Sequence, residues 1–222
     1  MQITKSVTTT LAALLLSAAP ALAADAPAVV PPSFGSDGSV LNESFNGSTL
    51  PKGWDSPDSG GNAREVTFKD GAAIFKVSKG DNFIELPKVV IDLDKPFAVE
   101  ITFSIPSPTA EGFTIFTIGR VGGEFKIPIY PSERGPSLNI PGTRTLGVVE
   151  SSKTYTVVVV IDPDGSFKAT LAGGSIEKPL IVTGKGPEGL IKTMLLGNTR
   201  GLAEGGLRIE EVKIGLPTTA SK

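Results

Sequence analysis

The 222-residue chain has no cysteine and no histidine, and each absence removes a body of chemistry. Without cysteine there are no disulfides, no thiolate metal ligands and no Cys-His nucleophile pair. Without histidine there is no imidazole general base, no Ser-His-Asp arrangement and no mixed His-Cys zinc site. Aromatic residues other than phenylalanine are scarce, with 1 Trp and 2 Tyr. Neither charge is in excess. The 21 Lys and Arg against 23 Asp and Glu give no basic surface for a nucleic-acid partner and no polyelectrolyte character. Beyond Ala23 no run approaches the ~20 apolar residues of a membrane-spanning helix, so no transmembrane segment is expected after that point.

What the chain does have is turn-forming residues and enough apolar ones for a core. Gly 26 and Pro 18 together make 44 positions, about a fifth of the chain and well above average usage, and hydrophobic residues make up 40%. The first segment reads as an export signal. Lys5 is its one charge, Leu11 to Ala18 is apolar, and Ala21-Leu22-Ala23 supplies the small residues that a signal peptidase recognises. The expected division is a signal peptide at 1–23, an Ala/Pro/Ser/Gly-rich linker at 24–39, one domain at 40–216 and a short polar tail at 217–222. Cleavage after Ala23 removes only Lys5 among the charges, leaving 20 basic and 23 acidic residues, a net charge of −3. The expected location is periplasmic or extracellular.

Within the domain the dominant period is two. Phe97, Val99, Ile101, Phe103 and Ile105 alternate with Ala98, Glu100, Thr102 and Ser104, the pattern of a half-buried strand. Tyr155 to Ile161 is a continuous, mostly β-branched run, and Asp164-Gly165 turns it into Phe167 to Leu171; Asp70-Gly71 joins two shorter segments in the same way. Further strands are predicted at Val40–Phe45, Phe83–Leu86, Val89–Leu93, Phe113–Ile118, Phe125–Tyr130, Thr145–Val149, Met194–Gly197 and Leu207–Ile214. The best helical segment is only Glu188 to Lys192, and Gly189 weakens it. Many short strands with turns between them predict an all-β fold of two packed antiparallel sheets.

The ordered pieces Leu41 to Trp54, Lys69-Asp70-Gly71, Lys153 to Asp162, Asp164 to Leu171 and Gly206 to Gly215 resemble the concanavalin A-like, laminin-G-like jelly-roll domains. The resemblance runs from Val40 to Leu216. It implies a two-sheet antiparallel jelly-roll sandwich and, in many relatives, a carbohydrate or protein ligand on the concave face or at the loop rim. Because this architecture carries lectins, glycan hydrolases, lyases and adhesion modules alike, it does not by itself assign a function.

Catalytic patterns are weak. Glycan hydrolases that resemble this fold set carboxylates at alternate positions of one strand, and no Glu-x-Asp-x-Glu is present. Asp92 and Asp94 have the spacing, but Lys95-Pro96 follows at once and marks a solvated strand end. Glu210 and Glu211 are expected on opposite faces of a strand. Asp162-Pro163-Asp164-Gly165 and Asp55-Ser56-Pro57-Asp58 read as turns rather than calcium loops. No catalytic residue, metal or cofactor is expected. Trp54 is expected to pack the domain edge, and Tyr155 to be core with its hydroxyl at the rim.

One stretch stands apart. Gly119 to Thr145 holds Tyr130, Asn139 and three of the six arginines, Arg120, Arg134 and Arg144. A tyrosine ring with planar multi-donor side chains suits a sugar, which has an apolar face and a hydroxyl rim. The competing reading is a long surface loop whose arginines pair with Glu124 and Glu133. The expected function is a non-catalytic, exported carbohydrate-binding, lectin-like or adhesion module with a polysaccharide or glycan partner. The alternative is a structural or protein-interaction domain of the periplasm or cell envelope with no small ligand, and a divergent carbohydrate-active enzyme is the third choice.

Overall fold

The computed structural model describes residues 39–56, 66–75, 83–88, 94–106, 113–135, 137–140, 145–197 and 206–217. The signal peptide, Val89–Leu93 with Asp92, and Arg144 lie outside the described residues.

The described residues form fourteen strands and no helix: β1 (Ser39–Glu43), β2 (Val66–Phe68), β3 (Ala73–Phe75), β4 (Ile84–Glu85), β5 (Phe97–Ser104), β6 (Phe113–Arg120), β7 (Gly123–Tyr130), β8 (Ser137–Leu138), β9 (Gly147–Val148), β10 (Thr154–Ile161), β11 (Ser166–Gly173), β12 (Ile176–Lys185), β13 (Ile191–Leu196) and β14 (Leu207–Gly215). They make two antiparallel sheets. The first runs β12-β11-β10-β5-β14-β3-β2, and the second runs β4-β13-β6-β7-β8-β9. Strand β1 shares an edge of β14 with β3: Leu41 and Glu43 face Ile214 and Val212, while Ala73 and Phe75 face Ile209 and Leu207. The protein is an all-β, two-sheet antiparallel sandwich, as the alternation predicts.

The register turns that alternation into a core. In the first sheet Ile101 lies opposite Val157 and Val212, and Val157 opposite Leu171; in the second, Phe116 lies opposite Ile127 and Leu196. All of these side chains are buried, each contributing about 1.5–3 kcal/mol of transfer free energy. Tyr155 is buried and stacks on Phe103 at 6.1 Å, and its hydroxyl accepts the Glu150 N–H at 2.8 Å. Trp54 is buried edge-on to Phe45 at 5.6 Å.

Three local features depart from the sequence reading. Glu188 to Lys192 is no helix: Val121 N–H donates to Leu190 O and Gly122 N–H to Glu188 O, so the neighbouring hairpin takes the carbonyls that a helix would use internally. Strand β14 carries a bulge between Ile209 and Glu211, so Ile209 and Val212 both point inward. Glu210 and Glu211 therefore do not simply alternate, and both reach cations of the same strand: Glu210 meets Arg208 at 3.4 Å and Glu211 meets Lys213 at 2.7 Å. Finally, β12 is an additional ten-residue edge strand.

Candidate functional site

The β6–β7 hairpin decides where the recognition residues go. Its pairs alternate between the core and the outer face of the second sheet. Phe113–Ile129, Phe116–Ile127 and Ile118–Phe125 face inward, and Thr114–Pro128, Thr117–Lys126 and Gly119–Glu124 face outward. Tyr130 continues the outward row of Lys126 and Pro128. Its side chain is 52% exposed, the one described tyrosine ring open to solvent.

Beside it the chain makes a tight turn. Gly135 N–H donates to Ser132 O, the Ser132 hydroxyl donates to Gly135 O, and the Ser137 hydroxyl donates to the Ser132 hydroxyl at 2.9 Å. Ser137 is thereby fixed opposite Tyr130. Asn139 N–H donates to Pro128 O at 2.8 Å, and its Nδ2 donates to Ser137 O at 2.9 Å, which leaves Oδ1 as an acceptor. Glu133 and Arg134 sit exposed in the turn. Among the described residues Arg134 makes no ion pair, and Glu124 pairs with Lys126 at 2.6 Å rather than with an arginine.

The structure thus brings Tyr130, Arg134 and Asn139 to one end of the second sheet and sends Arg120 to the other. Arg120 lies opposite Gly123, and Tyr130 is seven residues farther along the same strand, about 23 Å at the usual rise. The Arg120 side chain points inward, is 7% exposed and donates from Nη1 to Pro187 O at 3.1 Å. Nearness in sequence misplaces it because a hairpin runs its two arms in opposite directions. Pairing adds Lys126, Pro128, Ser137, Thr117 and Thr114 to the Tyr130 face. The alternation of Phe125 to Tyr130 already carries the signal for Lys126 and Pro128.

At the opposite end, the Asp162–Gly165 segment is a turn. Asp162 N–H donates to Ser166 O and Gly165 N–H to Asp162 O. The Ser166 hydroxyl donates to Asp164 Oδ1 at 2.6 Å and to Asp162 Oδ2 at 3.2 Å. The Ser166 hydroxyl and amide hold the Asp164 carboxyl below its ordinary pKa.

No protein-family model and no curated protein sequence matches the chain. Solved structures do match in architecture. The CBM2 module of Lactobacillus casei BL23 phage J-1 evolved Dit is 11% identical with a TM-score of 0.56, covering 83% of this chain and 98% of that one. The Emp47p carbohydrate recognition domain is 15% identical with a TM-score of 0.54, covering 84% and 100%. Xylan beta-1,4-xylosidase from Bacillus halodurans C-125 is 10% identical with a TM-score of 0.56 over 78% of this chain, which spans only 38% of that enzyme. At these identities the likeness establishes the fold, and it bears out the jelly-roll sandwich.

Proposed function

We propose that the chain is an exported, non-catalytic glycan-binding module whose recognition surface is the outer face of the second sheet around Tyr130. The observation that carries this reading is the exposed Tyr130 ring beside fixed polar groups of Ser137 and Asn139. The ring offers an apolar platform, and the Asn139 amide and the exposed Ser132 hydroxyl, the latter held by buried Ser137, suit the sugar rim. Arg134 supplies a nearby cation free of intramolecular pairing among the described residues. Arg144, outside those residues, belongs to the same sequence stretch.

Support for a non-catalytic role comes from the sequence, which has no histidine and no Glu-x-Asp-x-Glu strand. The two neighbours that the chain covers almost end to end are both named for carbohydrate binding, which supports the reading by analogy of fold.

A glycan array on the processed protein, followed by a reducing-sugar assay on each hit, tests the proposal. Tyr130→Ala should weaken binding by about 1–2 kcal/mol, roughly 5- to 30-fold, with unchanged thermal melting. Arg134→Ala should act more on acidic than on neutral glycans. No signal above an unrelated sandwich would replace this reading with the protein-interaction one, and released reducing ends would refute the absence of catalysis.

A further inference from the structure

The end of the sandwich opposite Tyr130 holds a pocket of about 190 Å³, with Lys95, Phe97, Arg120, Asp162, Pro163 and Leu190 in its walls. At ~30 Å³ per water this is room for about six waters, the size of one small molecule rather than a stretch of polymer.

Its chemistry is set by Arg120. A buried arginine normally meets a carboxylate, because an unpaired charge away from water is costly. Arg120 meets none among the described residues. Nη1 is used by Pro187 O, and Nε is buried with no hydrogen-bond partner. The guanidinium carbon lies over the Phe97 ring, 5.7 Å from its centroid. Burial pushes its pKa below the ordinary arginine value, with no opposing charge to restore it. Nε is sealed off, which leaves Nη2 as the charge-assisted donor for a carboxylate oxygen. Lys95 adds a second cationic group to the same wall.

The other groups define the rest of the ligand. Asp162 uses Oδ2 for the Ser166 hydroxyl and keeps Oδ1 as an acceptor, complementary to a hydroxyl. Pro163 and the 64%-exposed Leu190 provide apolar sides for a carbon skeleton. The walls are held in place: Val121 and Gly122 donate to the carbonyls of Leu190 and Glu188, and Gly186 donates to Gly165 O at 2.9 Å. Such fixed walls lower the ordering cost of binding.

We propose that this pocket binds a small hydroxylated carboxylate, of the class of the uronic acids, with Nη2 of Arg120 on the carboxylate and Asp162 on a hydroxyl. The site is separate from the Tyr130 face and does not rest on reading that face as a glycan surface.

Titration of the full domain with D-glucuronate, D-glucose and inorganic phosphate, followed by calorimetry or by amide chemical shifts, tests it. Saturable glucuronate binding is expected, weakened by added salt and at least tenfold by Arg120→Gln, with no change in Tyr130→Ala. Arg120→Lys keeps the charge and loses both the Nη2 donor and the Nη1 bond to Pro187 O, so it should also weaken binding. Asp162→Asn, in a surface turn, should weaken it severalfold even if the Arg120 variants fold poorly. No saturable glucuronate signal, equal affinity for glucose or phosphate, or unchanged affinity in folded Arg120→Gln would overturn the proposal.

Discussion

Replacing Gly174 by alanine tests the packing of the buried end of the first sheet. Gly174 is the first residue of the two-residue turn between β11 and β12 and has φ of 57°, a left-handed conformation that costs an alanine about 1–2 kcal/mol. Its Cβ would also overlap Tyr155 Cζ and the Tyr155 hydroxyl oxygen, well inside the ~3.5–4.0 Å of a relaxed contact. The ring has nowhere to go, being buried, stacked on Phe103 and hydrogen-bonded to Glu150 N–H. Overpacking adds about 1–3 kcal/mol, and losing the hydroxyl bond about 0.5–1.5 kcal/mol. Gly174→Ala should therefore cost about 3–5 kcal/mol. Gly53 is the control: its φ is 85°, but its Cβ would meet nothing closer than Pro87 Cβ at 3.7 Å, so Gly53→Ala should cost only the conformational ~1–2 kcal/mol. Equilibrium urea unfolding of both variants measures the difference, which should also separate their melting temperatures by about 5–10 °C at ~2–4 °C per kcal/mol for a domain of this size. Losses equal to within about 0.5 kcal/mol would refute the placement of the Tyr155 ring.

Lys213 stands between Glu211 at 2.7 Å and Glu100 at 3.2 Å on the outer face of the first sheet. Lys213→Met, which leaves the two carboxylates facing each other, should cost about 1–2 kcal/mol in urea unfolding, whereas Lys69→Met, at a widely exposed 3.8 Å pair, should cost nothing measurable. Burial pushes the Lys213 pKa down, but the hydrogen bonds and charges of Glu211 and Glu100 outweigh it, and the net shift is upward from 10.5. The contribution of Lys213 is thus complete below the unfolded value and lost as pH rises through the folded one; a wild-type alkaline transition that Lys213→Met leaves unmoved would contradict this. Intact-mass measurement of exported protein should give a chain beginning at Ala24; a mature species retaining Met1 would contradict the signal-peptide reading.

The strands legible in the sequence are those whose two faces differ. In β5 the buried positions Phe97, Val99, Ile101 and Phe103 alternate with half-buried Glu100 and Thr102, and β7 does the same around Lys126. Strand β12 was not legible because it fully buries neither face: Ile176 and Val182 are only half-buried against the core, Leu180 and Ile181 are exposed, and Pro179 sits where the pairing with β11 loses register, a position open to proline only at an edge. The bulge at Glu210 had a signal in hindsight, since Ile209-Glu210-Glu211-Val212 sets two apolar residues three apart within a strand of period two. For the site, sequence nearness grouped Tyr130, Arg134 and Asn139 because a turn and a short strand keep them local. It grouped Arg120 with them wrongly because a hairpin arm lies between. The Arg120 pocket had no linear signature at all. Its walls come from three connections that meet only when the two sheets close over the core.

The partnership of β1 and β14 has a consequence for the order in which the molecule forms. The centre of the first sheet is β5, which needs β14 on one side and β10 on the other, and Leu41 finds its partner only at Ile214. A nascent chain emerging from the ribosome has no complete central sheet until its last strand is made. Native structure must then wait for pairings that span almost the whole domain, a topology associated with folding in milliseconds to seconds rather than microseconds. Fragments ending before Leu207 should therefore stay unfolded, and a chain of this topology remains extensible, fit to be threaded through a narrow channel, for as long as its C-terminal strand is withheld.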